Sequence, residues 1–121
     1  MGKFTVQRVK AGFKFNLKAG NGQIIASSGV YYNVEDCLAA IERVKQCAFA
    51  PVEDQTLSSA TPLPFPKFEV QHTDRGGISF FLRDGEGVIL AHGKGYTAKR
   101  SCFAGIRSLG ENAPDAPVIT G

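Results

Sequence analysis

Residues 80–91, Phe-Phe-Leu-Arg-Asp-Gly-Glu-Gly-Val-Ile-Leu-Ala, repeat the pattern of residues 15–26, Phe-Asn-Leu-Lys-Ala-Gly-Asn-Gly-Gln-Ile-Ile-Ala, 65 positions earlier. Carried over residues 13–48, the same offset gives eleven identities in 36 pairs, among them Tyr31/Tyr96, Cys37/Cys102 and Ile41/Ile106. Residues 3–7 return as residues 67–71 at an offset of 64, so the second copy has one extra residue in its first turn. A repeat this long is a duplicated supersecondary unit. Each copy is about 50 residues, a size at which a lone core is marginal. Two such halves gain most by closing one shared core. The chain is therefore read as a single domain over residues 1–121: repeat one at 1–54, a linker at 55–66 and repeat two at 67–121.

Within each copy the apolar spacing changes from two to helical. Phe4 and Val6 alternate with polar residues, as do Phe13, Phe15 and Leu17, the signature of half-buried strands. Asn21-Gly22 is expected to supply left-handed residues for a tight hairpin turn, leading to a third strand over residues 23–27. Asn33 is a good helix N-cap, and Val34, Cys37, Leu38, Ile41 and Val44 then recur on one helical stripe. In the second copy Thr97 takes the cap position and Cys102, Phe103, Ile106 and Leu109 form the stripe. Gly105 weakens that helix by roughly 1 kcal/mol relative to alanine, and Gly110 is expected to end it. Short extended pieces at 50–53 and 116–119 close the repeats. Between them, the linker ends Pro62-Leu63-Pro64-Phe65-Pro66, polyproline-like material able to span roughly 35 Å.

Composition excludes several classes. With 43% apolar and 21% charged residues the chain is globular. No run approaches the roughly 18 apolar residues of a membrane span, and the first residues lead into a strand rather than a signal peptide. Three cysteines without a Cys-x-x-Cys pair argue against a disulfide scaffold or a zinc site and fit a reducing cytoplasm. Counted by repeat, the net charge of +3 is spread evenly, unlike the basic stripe of a nucleic-acid binder.

The motifs Gly-Lys-Phe-x-Val, Phe-x-Leu-Lys/Arg-x-Gly-x-Gly-x-Ile, Gly95-Tyr96-Thr97-Ala98-Lys99, Gly105-Ile106 and Asn112-Ala113-Pro114-Asp115-Ala116 resemble the YegP-like family of small bacterial proteins, also called UPF0339 or DUF1508. The second repeat is the closer match. In the first, Val30-Tyr31-Tyr32-Asn33-Val34 and Cys47-Ala48-Phe49 replace the corresponding segments. The resemblance implies an α+β fold of two tandem β3-α-β repeats. They share one antiparallel sheet with both helices on one face and a pseudo-two-fold axis, and the closing strands are exchanged between repeats. It also implies a monomer that acts as an intramolecular pseudo-dimer. The family is of uncharacterised function, so it carries over no catalytic, cofactor or metal-binding residue.

Imitations of functional motifs fail on context. Gly20-Asn21-Gly22 and Gly85-Glu86-Gly87 begin like a dinucleotide fingerprint but lack the third glycine and the following helix. Gly93-Lys94-Gly95 reads as a flexible connector. Cys37 and Cys102 read as small buried hydrophobes, and His72 and His92, placed at the same end of two strands, lack a third ligand.

The remaining feature is the sheet face opposite the helices, where alternation places Lys14, Asn16 and Lys18 in one copy and Phe81 and Arg83 in the other. Phe81 is an aromatic among polar groups. Its plainer role is packing across the sheet against aliphatic stems. The function expected is thus a non-enzymatic binding module without cofactor or metal, engaging another macromolecule through Lys14, Asn16, Lys18, Phe81 and Arg83. Weak binding of single-stranded nucleic acid, with Phe81 as a stacking platform, is the alternative partner. A small-molecule enzyme would need convergent titratable groups in a pocket. If the core is shared, fragments 1–54 and 67–121 will each be unfolded or dimeric alone. Sedimentation and amide chemical-shift dispersion will show this, and a cleanly folded monomeric fragment overturns it.

Overall fold

In the computed structural model, which describes residues 2–120, the alternating strands of both copies join into one eight-stranded sheet. The first repeat supplies β1 (Lys3–Val9), β2 (Gly12–Lys18), β3 (Ile24–Ser27), α1 (Val34–Gln46) and β4 (Val52–Asp54). The second supplies β5 (Lys67–His72), β6 (Ile78–Arg83), β7 (Ile89–Tyr96), α2 (Lys99–Asn112) and β8 (Val118–Thr120). The spatial order is β4-β5-β6-β7-β3-β2-β1-β8. Each closing strand has left its own repeat: β4 lies beside β5 and β8 beside β1. These two edge pairs are parallel, so the sheet is antiparallel only through its six inner strands and mixed overall. The parallel edges follow from the helical crossover that carries each closing strand over the sheet.

One core fills the space under both helices. Phe4, Phe15, Phe68, Phe80, Leu17 and Leu82 are fully buried against Ile41, Val44 and Leu109. Each half repeats the same aromatic arrangement. Phe4 meets Phe15 edge-on at 5.7 Å and Phe68 meets Phe80 at 5.9 Å, while Tyr31 and Tyr96 stack on Phe15 and Phe80 at 6.4 and 6.2 Å. Cys37 and Cys102 are buried on the helical stripes. The seam between halves is narrow, with β3 and β7 in register only at Ser27 and His92. The helices bridge it: α1 packs on β2 and β7, and α2 on β6, β7 and β3.

Several local expectations change. In the hairpin turns only the glycines are left-handed, Gly22 at φ 86° and Gly87 at 85°; among the described residues no non-glycine, Asn21 included, has positive φ. Asn33 caps α1 by accepting from the Asp36 N–H at 2.8 Å, but Ala98, not Thr97, stands at the N-cap of α2, without a side-chain bond. That end is held instead by Lys99, whose Nζ lies 3.1 Å from Asp54 at the end of the exchanged β4. Gly110 does not end α2, which runs on to Asn112. Residues 93–95 are not a connector but part of β7. A Cβ on Gly93 would fall 2.3 Å from the Phe80 ring, so the strand runs flat against that ring. The two histidines are not at the same end: His72 closes β5 in phase with Phe68 and Val70, level with Ile78 and Tyr96, whereas His92 lies midway along β7, paired with Phe81 on the opposite face.

The linker is a strap rather than a free tether. It folds back over the non-helical face of the second half, where the Leu63 N–H donates to Glu53 at 2.5 Å and Gln55 bonds both Glu53 and Glu69. Phe65 places its ring 4.9 Å from the Lys67 ammonium. Beneath it, Glu53, Lys67 and Glu69 are each 6% exposed. Lys67 Nζ lies 2.8 Å from Glu53 and 3.6 Å from Glu69, and Arg83 Nε lies 2.5 Å from Glu69. Buried charges persist when paired and hydrogen-bonded in this way.

Two outcomes follow from this packing. Helix propensity alone makes Gly105→Ala stabilising by about 1 kcal/mol. However, a Cβ there would sit 2.1 Å from the Tyr96 hydroxyl, so chemical denaturation will show a loss of about 1–3 kcal/mol. The second outcome concerns acid. Bonds from Lys67, Gln55 and the Leu63 N–H hold the Glu53 carboxyl at about 2, against an ordinary 4.5. Its folded value is depressed, so its contribution is full above about pH 4.5 and is lost as pH falls toward 2. Amide resonances of the strap, read in the folded protein, will titrate around pH 2 in wild type and will lack that step in Glu53→Gln.

Candidate functional site

On the face away from the helices, strand register lines up one residue from every strand. The row runs Ile119, Thr5, Asn16, Ser27, His92, Phe81, Glu69 and Glu53. The pseudo-two-fold axis passes between Ser27 and His92, so Asn16 answers Phe81, Thr5 answers Glu69 and Ile119 answers Glu53. The five residues singled out from the sequence do not form one patch on this face. Asn16 is 5% exposed, and its Oδ1 accepts a 2.6 Å bond from the Ser27 hydroxyl. Phe81 is half-buried and tilted against the His92 ring at 6.3 Å. Arg83 is committed to Glu69 and to the Gly87 carbonyl at 2.8 Å, beside the strap. Lys14 and Lys18 are half-buried, and neither forms an ion pair among the described residues.

The structure adds Lys3, His92 and Lys94 to this surface. Lys3 stands opposite Lys18 across β1 and β2. Burial pushes the His92 imidazole below its usual value, and the charges of Lys94 and Lys14 lower it further. An imidazole so placed is neutral at physiological pH and turns cationic more readily once an anion is near. Beyond the Ser27/His92 pair the two seam strands leave a cleft of about 320 Å³ lined by residues 24–27 and 92–96. The pairing of β3 with β7 creates this juxtaposition, and no signal in either repeat announces it.

Charge is less even than a count by repeat indicates. Residues 3–33 hold five basic residues, Lys3, Arg8, Lys10, Lys14 and Lys18, and no acidic one. The matching residues 67–98 hold four basic and four acidic. The second meander neutralises its own cations; the first does not. Groups suited to covalent chemistry are disfavoured by their surroundings. Burial raises the thiols of Cys37, Cys47 and Cys102, the last to about 11, away from nucleophilic thiolate. Among the described residues, no group of three His, Cys, Asp or Glu side chains could hold a metal ion, and no helix is long and apolar enough to cross a membrane.

Comparison with known proteins agrees with the repeat. A family model for DUF1508, a domain of unknown function, matches residues 10–54 and again residues 75–119. The UPF0339 protein in the ptx operon 5′ region of Stutzerimonas stutzeri is 31% identical over 119 residues, 98% of this chain and 95% of that protein. A UPF0339 protein of Methanosarcina acetivorans is 43% identical over 53 residues, which are 44% of this chain but 91% of that protein. That relative is thus about one repeat long. Among solved structures, the solution NMR structure of yegP from E. coli, a protein of unknown function, superposes with a TM-score of 0.80. It is 23% identical, with 99% of this chain and 92% of that chain covered, and shows the same fold. With both repeats matched and a relative aligned along nearly its whole length, the chain belongs to the YegP-like DUF1508 (UPF0339) family as a tandem-repeat member.

Proposed function

We propose that the protein is a non-enzymatic cytoplasmic module that binds an anionic macromolecule through the uncovered part of its open sheet face. One observation carries this reading: Lys3, Lys14 and Lys18 share a face with no carboxylate on their own meander, whereas the equivalent face of the second half is sealed by ion pairs and a strap. A field of one sign concentrates partners of the other and speeds encounter. The buried, high-pKa thiols and the separated histidines favour binding over chemistry. The three free cysteines suit a reducing compartment.

A second reading, single-stranded nucleic acid, draws on Phe81 tilted against His92, with Lys14 and Lys94 close enough to lower the imidazole. Stacking beside cations is the usual composition of such a site.

Titration of the labelled protein with an oligothymidylate and with polyglutamate tests both readings. The open-face reading expects amide shifts confined to Lys14, Lys18, Phe81, His92 and their neighbours. Charge reversal at Lys14 or Lys18 will then weaken binding and flatten its salt dependence. If nucleic acid is the partner, Phe81→Ala will cost about 1–3 kcal/mol of binding, with a smaller loss of stability than a core truncation. No shift on this face with either polyanion overturns the proposal. A Phe81→Ala protein that loses core-like stability while binding survives unchanged makes the ring structural and overturns the nucleic-acid reading.

A further inference from the structure

The two halves repeat one arrangement of strands, and their open faces differ in charge and in covering. Lys67 stands opposite Arg83 across β5 and β6, as Lys3 stands opposite Lys18 across β1 and β2. Like charges directly opposite on antiparallel strands are destabilising. The second half relieves this with two carboxylates, Glu69 between the cations and Glu53 on the neighbouring edge strand. At the same two places the first half has Thr5 and Ile119. The cation pair is retained and its counter-charges are missing. The Thr5 hydroxyl, in the position of Glu69, is itself buried and has no hydrogen-bond partner among the described residues.

The covering differs in the same way. Over the second half the strap lays Phe65 across the hairpin glycine, so that a Cβ on Gly87 would lie 3.0 Å from its ring. The equivalent Gly22 has nothing within 4 Å. Ile119 is 50% exposed where Glu53 is 6%. What the second half holds within its own chain is an extended, proline-rich segment with an aromatic side chain, laid over carboxylates seated on a cation pair.

We propose that the first half takes the same arrangement from outside: the surface around Lys3, Thr5 and Lys18 docks an acidic, extended segment of another polypeptide. One of its carboxylates lies between Lys3 and Lys18, and an apolar side chain lies over Gly22. This rests on the open-face reading above and names its partner class. Nucleic acid would also neutralise the lysines, but among the described residues no open-face strand position of β1, β2, β3 or β8 holds an aromatic side chain to stack a base, Phe81 being three strands from β2 in the spatial order. A second copy of the chain brings no such segment in its own strap, because residues 55–66 carry no charged group.

The test uses a fluorescent peptide of about twelve residues, alternating glutamate and proline around one phenylalanine, with an oligothymidylate of similar length as comparator. Wild type is expected to bind the peptide saturably, with amide shifts at Lys3, Thr5, Lys18 and Gly22. The double substitution Thr5→Glu with Ile119→Glu installs the carboxylates of the second half and is expected to weaken peptide binding about tenfold or more, with native amide dispersion retained. Should that variant fail to fold, Lys3→Gln with Lys18→Gln gives the same loss by removing the cations. Peptide binding unchanged in a folded variant overturns the inference. Tighter binding of the oligothymidylate at the same amides also overturns it while leaving the open-face reading standing. Self-association of wild type that Thr5→Glu abolishes assigns the surface to a second copy and overturns it too. If neither ligand shifts any amide of the open face, both readings fall.

Discussion

Each half of this chain has its apolar face covered in part by the other, and the rest of the structure follows from that sharing. A three-stranded meander and one helix leave Phe4, Phe15 and Leu17, or Phe68, Phe80 and Leu82, incompletely covered. The halves solve this jointly. Each helix extends past its own meander onto a strand of the other, and each closing strand is placed on the far repeat. The seam has a single registered pair, Ser27 with His92, so the hydrogen-bond ladder is a minor part of what joins the halves. Side-chain burial and strand exchange do most of it, since apolar burial is the dominant favourable term in folding.

The charged cluster under the strap is the second-half answer to a different difficulty. Exchange brings Glu53 of one repeat beside Glu69 of the other, and two adjacent buried carboxylates would repel. Lys67, held between them, and Arg83 turn that repulsion into a network, and Gln55 and the Leu63 N–H satisfy remaining oxygen lone pairs. A network of this kind is worth keeping only when every member has a partner. The strap is therefore part of the electrostatics as well as the connectivity. Its course is dictated by Glu53 and Phe65 rather than by the reach of a polyproline chain.

The repeat, the hairpins, the helical stripes and the buried cysteines were legible because they depend on local pattern: period two, period 3.6 and glycine at turns. What was not legible depends on contact between distant segments. Gly105 reads as a weak helix residue until Tyr96 is placed against it. Residues 93–95 read as a connector until the Phe80 ring is seen to need a side-chain-free strand. Thr97 is a better capping residue than Ala98, yet the helix start follows the Lys99 tie to Asp54. The candidate face was legible only in outline. Alternation placed the polar positions on one face, but Arg83 is spent on Glu69, and His92 and Lys94 join only through the seam. Counting charges over whole repeats also concealed the acid-free first meander, because Glu35, Asp36 and Glu42 lie on α1 rather than on the sheet.

The covalent join between the repeats has an evolutionary consequence. An assembly of two identical single-repeat chains is bound by its symmetry: any substitution appears on both sides of the axis. A carboxylate that seals one face would seal its twin, and a bare cation pair would be bare twice. Tandem fusion removes that coupling. Position 69 can carry glutamate while position 5 carries threonine, and position 53 can carry glutamate while position 119 carries isoleucine. One half is then free to specialise as scaffold, with its polar face locked shut, while the other remains free to vary toward a ligand without threatening the shared core.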